Sequence, residues 1–357
     1  MSTRRGLAVL TALLALPALP APAAAQAQLP SWFSIDTTAA VDRQLDSSAA
    51  TTGVLLDTFM SAKIGPGLEI YTRPLVQRLG SGEWNRQVWL AAARYERNGA
   101  VNLRIEGGLI PAPIGLANLT LRPQLNPTIS QPASLFQGLP PPEPFSPRVT
   151  LLGAIYPYGV SATVSGTKWD ARAALIDVSP LRSRRIFADV NPPHFANVVV
   201  GGGVTPIIGL RFGASVTRGG WKAAAERPVS TETLDATVVT VETEFAFGYT
   251  KLAGEYTRDF LTTTSGESVN AGWFFQGQHT LTPRWFAAAR VERIGGTVRD
   301  PELTPTVSAF IGTEETAGYR LTPDLTFRVS HRARRAFAQT DFDNQMLGSI
   351  VWARRWF

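Results

Sequence analysis

Arginine is the residue of this chain best placed to do chemistry. Only four of the 34 basic residues are lysine (Lys63, Lys168, Lys222 and Lys251). The arginine fork stays charged in any surroundings and grips carboxylate or phosphate through paired hydrogen bonds. Arg73, Arg94, Arg104, Arg172, Arg211, Arg290, Arg328 and Arg332 lie in stretches where every second residue is apolar. Glu69, Glu96, Glu106, Glu242, Glu244, Glu255 and Glu292 share that charged side. Two arrangements follow. The arginines form a ladder along a water-filled passage and draw anions through it, as rings of charge do in pores, or they pair with the acids and brace a wall. Acids and bases are nearly matched, which favours pairing and leaves room for a mild anion preference. Arg73, Arg94, Arg104, Glu106, Arg172, Arg211, Glu242, Arg290, Arg328 and Arg332 are the pore-lining candidates.

Other chemistries find less support. The chain has no cysteine, which excludes a disulfide scaffold and thiolate metal sites. His194, His279 and His331 are its three histidines, and none stands at metal-ligand spacing from another. No Gly-x-Ser-x-Gly elbow occurs. Gly201-Gly-Gly203 lacks the helix and acidic partner of a dinucleotide site and reads as a strand bend or bulge. An enzyme acting on lipid or peptide and a non-conducting structural or adhesive protein are the alternatives to a pore.

What must position these charges is a set of strands. Val101, Leu103 and Ile105 face one way, and Asn102, Arg104 and Glu106 face the other. A helix would scatter them. The same period of two recurs ten times with breaks every ten to fifteen residues, a continuous meander with no composition shift to mark a second domain. Tight breaks sit at Gly65-Pro66, Asn98-Gly99, Thr167-Lys168, Thr205-Pro206, Gly248, Thr282-Pro283 and Thr322-Pro323. Longer connections alternate with them at 43–50, 79–84, 111–150, 179–195, 218–233, 261–267, 295–305 and 335–343. Seven tight turns define fourteen strands. A first strand near Trp32–Val41 and a last one, Gln345–Phe357, bring the count to sixteen, within a range of 14 to 18.

The start of the chain has the plan of a cleaved export signal: Arg4 and Arg5, an apolar run over Gly6–Leu16, then small residues to Ala27. Without Arg4 and Arg5 the chain carries 32 basic against 28 acidic residues, too mild an excess for nucleic acid. No later run approaches the eighteen or so apolar residues of a spanning helix. The chain is then either a soluble periplasmic protein, its arginines on the solvent side of a sandwich, or a closed barrel, the one spanning solution left. An arginine facing lipid at mid-membrane costs roughly 2–4 kcal/mol, so the charged face must line water. The apolar side is modest in bulk, with Trp169, Phe247, Tyr249, Trp285 and Phe357 near the tight turns, where an aromatic girdle belongs. The expected fold is an all-β transmembrane antiparallel barrel of residues 28–357, following a signal over 1–27.

One connection stands apart. Pro111 to Pro147 carries ten prolines and only two charges, Arg122 and Glu143. It can neither continue a ladder nor form a helix. As a constriction it would select small solutes by size, with Asn118, Arg122, Gln124 and Asn126 supplying its polar groups; the other reading is an external loop.

The ending Val351-Trp-Ala-Arg-Arg-Trp-Phe357 resembles the assembly signal of Gram-negative outer-membrane barrels, with Arg355 standing where that family has an apolar residue. The segment 111–150 is the third long connection, the one that in trimeric general porins folds into the lumen. Gly108-Leu-Ile-Pro-Ala-Pro-Ile-Gly115 is similar to a stretch of phosphate-selective (O/P-type) porins, with Pro111 in place of that family's lysine. The resemblance implies passive diffusion of small hydrophilic solutes across the outer membrane, with no cofactor. It also implies contact with outer-membrane lipids, assembly by the barrel-assembly machinery through Phe357, and a homotrimer.

Overall fold

A computed structural model describes residues 32–47, 51–78, 80, 82–116, 121–142, 149–153, 156–182, 194–226, 232–264, 266–296 and 309–356. The export signal expected over 1–27, Asn118, Glu143 and Phe357 lie outside the described residues.

The chain winds through sixteen strands. The first eight are β1 (Phe33–Gln44), β2 (Thr52–Gly65), β3 (Leu68–Arg78), β4 (Trp84–Arg97), β5 (Asn102–Leu109), β6 (Tyr158–Ser165), β7 (Trp169–Ile176) and β8 (Asn197–Ile207). Then follow β9 (Leu210–Lys222), β10 (Leu234–Phe247), β11 (Thr250–Thr263), β12 (Gly266–Thr280), β13 (Trp285–Gly296), β14 (Ala309–Arg320), β15 (Leu325–Arg335) and β16 (Asp343–Arg355). Each pairs antiparallel with its sequence neighbours, and β1 closes the ring on β16 with Ala40 opposite Val351. Closure removes every free edge, so all strand backbone groups are paired without water.

The barrel is turned inside out relative to a soluble domain. Leu175, Val198, Val200, Val241, Phe275 and Val329 are exposed on the outer wall, while Asp57, Thr240, Glu242, Thr257 and Arg290 are buried inside. Trp169, Phe247, Tyr249 and Trp285 stand exposed at the short-turn end.

Two connections differ from the pattern read in the sequence. The turn placed at Thr205-Pro206 lies instead at Ile208-Gly209, because β8 runs on through the proline to Ile207. Proline brings no N–H to the ladder, and the register slips between Val204 and Ile207 to absorb it. Gly209 takes φ +87° there, where an added Cβ would sit 2.2 Å from the Ala246 carbonyl oxygen. The long connection placed at 261–267 shrinks to two residues, since β11 reaches Thr263 and β12 begins at Gly266. Leu261, Thr263 and Ser268 keep the inward period. A polar residue at an inward position continues a barrel strand rather than ending it.

An apolar core also exists, and it lies inside the barrel. Ile110, Ile114, Leu135 and Leu151 of the proline-rich third loop are buried against the inward Leu75, Trp89, Val199, Trp221, Leu261 and Phe274 of the wall. A four-residue helix of the loop, α1 (Ala133–Phe136), packs beside β13.

Candidate functional site

Prolines prepare the third loop for this interior position by removing N–H groups that would otherwise need partners. Four of the remaining N–H groups, those of Leu116, Ile129, Ser130 and Ala133, are met by wall carboxylates. Leu116 N–H donates to Glu255 of β11. Ile129 and Ser130 N–H donate to Glu314 Oε1 of β14 at 2.8 and 3.2 Å, and Ala133 N–H to Glu292 Oε2 of β13 at 2.8 Å. Loop carbonyls are met by arginines. Arg328 Nη1 of β15 donates to the carbonyls of Pro123, Asn126 and Thr128 at 3.2, 2.9 and 2.9 Å. Arg290 of β13 donates to Ser130 O at 2.8 Å and Thr128 Oγ1 at 2.7 Å. Charge-assisted bonds of this kind are the strong ones, and they bind the loop to one arc of the wall.

A second attachment, three strands further round the ring, is a buried cluster. Arg73 of β3 chelates Asp57 of β2 (Nε–Oδ1 2.8 Å, Nη2–Oδ2 2.6 Å), with side chains 4% and 0% exposed. Arg73 Nη1 donates to the Tyr156 hydroxyl, and the guanidinium lies over the Trp89 ring at 5.1 Å. Burial pushes the Tyr156 hydroxyl up to about 12, against the pull of Arg73. Arg122 of the loop approaches the same Asp57 at 3.7 Å.

Towards the short-turn end the wall charges pair with one another. Arg94 meets Glu106 at 2.6 Å and Glu69 at 3.4 Å, and Arg104 meets Glu96 at 2.7 Å. Further round the ring, on β7, β9 and β10, Arg211 bridges Asp170 (3.0 Å) and Glu242 (2.7 Å), and Arg172 reaches Glu242 at 3.3 Å. Gly201-Gly-Gly203 finds its purpose here. A Cβ on Gly203 would lie 2.6 Å from Arg211 Nη2, and one on Gly201 3.0 Å from Arg172 Nε. Inward glycines on β8 clear the space these flat side chains occupy.

The pore-lining candidates therefore divide into three groups. Arg94, Arg104, Glu106, Arg172, Arg211 and Glu242 form paired networks in the short-turn half. Arg73, Arg290 and Arg328 are buried where the loop is attached. Arg332 donates from Nη2 to the Gln345 amide oxygen. Of the loop candidates, the Gln124 amide meets its neighbours with its oxygen facing Arg122 Nε at 3.0 Å and its nitrogen facing Thr38. Asn126 is buried and turns back on its own loop, donating to Ser130 O at 2.7 Å. Glu314, Asp57 and Tyr156 were missed as site residues. The period of two marks Asp57 and Glu314 as inward, yet nothing local says that a loop will reach them.

The strip Leu121–Ala133 separates two cavities. One, of about 390 Å³, lies between the loop and the long-loop ends of β1–β4 and β13–β15. The other, of about 290 Å³, lies towards the short-turn end among Glu244, Lys251, Gln276 and Gln278. Each histidine sits apart from both: His194 pairs with Asp177 (2.9 Å), His279 with Thr250 (2.8 Å) and His331 with Glu315 (3.1 Å). No cluster of His, Cys, Asp or Glu arranged to hold a metal occurs among the described residues.

No protein-family model matches the chain, and no curated protein is similar to it in sequence. Solved structures of the same fold are numerous. A trimer form of OmpT, an outer membrane protein of Vibrio cholerae, aligns at a TM-score of 0.56 and 11% identity, covering 90% of this chain and 98% of that one. The outer membrane channel DcaP of Acinetobacter baumannii aligns at 0.58 and 10% identity, covering 90% and 96%. An anion-selective porin from Comamonas acidovorans aligns at 0.54 and 11% identity, covering 90% and 98%. At such identities the likeness is one of fold: a closed sixteen-stranded antiparallel barrel of the outer-membrane kind.

Proposed function

We propose that this chain is an outer-membrane porin that lets small hydrophilic solutes diffuse passively down their gradients. One observation carries the reading. A closed ring of sixteen strands turns its apolar residues outward and its charged residues inward, around a loop drawn into the lumen. A barrel of this strand number is wide enough for a water channel. The outer wall meets acyl chains, with the aromatic girdle at the short-turn end facing the periplasm. The export signal and the terminal Phe357 serve delivery and assembly. A homotrimer and a mild anion preference accord with the trimer form of OmpT and with the anion-selective porin of the same fold. The protein acts without catalysis or cofactor.

Liposome swelling tests this. Vesicles carrying the folded chain should swell in arabinose faster than in raffinose, because the third loop narrows the path. Vesicles that swell no faster than protein-free ones in either sugar would contradict the proposal.

A further inference from the structure

We propose that the larger cavity binds monocarboxylates whose apolar body is about the size of an aromatic ring. This deepens the porin reading by naming a preferred solute class, and it rests on that reading only in needing the cavity to be open to solvent. Its lining is mixed. Leu55, Trp89, Leu121, Phe136 and Phe310 give it apolar surface. Arg332 and Arg334 of β15 also line it, with the Arg334 side chain 42% exposed.

Three acids (Asp42, Glu292 and Glu314) and three arginines (Arg290, Arg332 and Arg334) line the cavity, and Arg332 is the arginine among them with no ion pair within 4 Å among the described residues. Glu292 and Glu314 are both engaged by loop N–H groups and by Arg290. Arg334 has Asp343 at 3.4 Å. Arg332 donates to the neutral Gln345 amide, with the Glu314 and Asp343 carboxylates acting on it without a hydrogen bond, and its buried Nε has no hydrogen-bond partner among the described residues. A guanidinium with donors to spare in a cavity with apolar surface suits a ligand with one carboxylate and one hydrophobic face. Aromatic surface offers such a face both burial and edge-to-face contacts. A second carboxylate on the ligand would meet Asp42, whose Oδ1 also lacks a partner and which lines the same cavity. The site therefore favours monoanions over dianions.

The test is calorimetric titration of the exported chain, folded in detergent, with 3-phenylpropionate. The neutral 3-phenylpropionamide and acetate, which lacks the apolar body, are the comparisons. Saturable binding of phenylpropionate is expected, weaker by about tenfold for the amide, with acetate not binding measurably; tenfold is the scale of one charge-assisted hydrogen bond. Arg332→Gln should lose a similar factor, and Arg332→Lys should recover part of it. Equal affinity for acid and amide would overturn the proposal. So would unchanged binding in a folded Arg332→Gln variant. Should that variant fail to fold, the acid–amide comparison on the unaltered chain still decides. Bilayer conductance is recorded on the same preparation: binding without conductance sinks the porin reading and leaves the site, and conductance without binding sinks the site.

Discussion

Arg290 and Glu314 face each other in register across β13 and β14, 3.3 Å apart, and between them they hold one residue of the third loop, Ser130. Arg290 donates to the Ser130 carbonyl at 2.8 Å and to its hydroxyl at 2.7 Å. Glu314 accepts from the Ser130 N–H and hydroxyl. Both wall side chains are 1% exposed. The loop is thus attached to charges that the barrel could otherwise hold only at a cost, and wall and loop stabilise each other.

Arg290→Met should loosen that attachment. It leaves Glu314 and Glu292 without their cation, and breaking a buried pair from one side costs about 3–5 kcal/mol. The compact barrel should unfold on a gel at a lower temperature, and single-channel conductance should rise as the loop frees the lumen. Unchanged values of both would contradict this role for Arg290.

Asp57→Asn tests the second attachment. Asp57 is the carboxylate that Arg73 chelates and Arg122 approaches. Its loss leaves two neighbouring cations uncompensated, again on the scale of about 3–5 kcal/mol. Tyr156→Phe removes one neutral acceptor from the buried Arg73 guanidinium and should cost less, about 1.5–3 kcal/mol. Heat-modifiable migration of the two variants should rank them in that order.

How far the sequence carries these statements depends on the range of the interaction. The strands were legible because inward and outward residues alternate with a fixed period, as in Val101 to Glu106. Gly201-Gly-Gly203 reads in the sequence as a strand bend or bulge, but it pairs in continuous register with both β7 and β9. Its purpose was not legible, since the side chains it makes room for, Arg172 and Arg211, lie on neighbouring strands. Pro206 misplaced a turn because a proline can also be absorbed by a register slip. The destination of the third loop was out of reach. Ser130 meets Glu314 184 residues away, and no local pattern encodes such a pairing.

Gly203→Ala should act on charge as well as on folding. The new methyl would press on Arg211 Nη2, the movable end of a long side chain, and on the Phe212 carbonyl oxygen at 2.8 Å, which is backbone and yields less easily. The stability cost should fall within the roughly 1–3 kcal/mol typical of overpacking. Displacing Arg211 from Glu242 and Asp170 should change the reversal potential in a salt gradient. A variant with the original reversal potential would show that this network does not face the ion path.

The latch between outer loops gives a pH dependence. Arg182 donates from Nη2 to Glu226 Oε1 at 2.9 Å, and Ala223 N–H adds a bond to Oε2 at 2.9 Å. Burial raises the Glu226 carboxyl, but these bonds outweigh it and hold it below its usual 4.5. A lowered folded value means stability present above pH 4.5 and lost as pH falls through that lower value. Glu226→Gln should therefore be less stable than the original chain at pH 7, with the gap closing in acid below 4.5. A gap independent of pH would contradict the assignment.

Planar-bilayer recording of the folded chain tests the central claim most directly. A water path past the third loop predicts stepwise, ohmic current increments, with a reversal potential in a salt gradient displaced mildly towards anions. A correctly folded barrel that inserts and passes no current would contradict it.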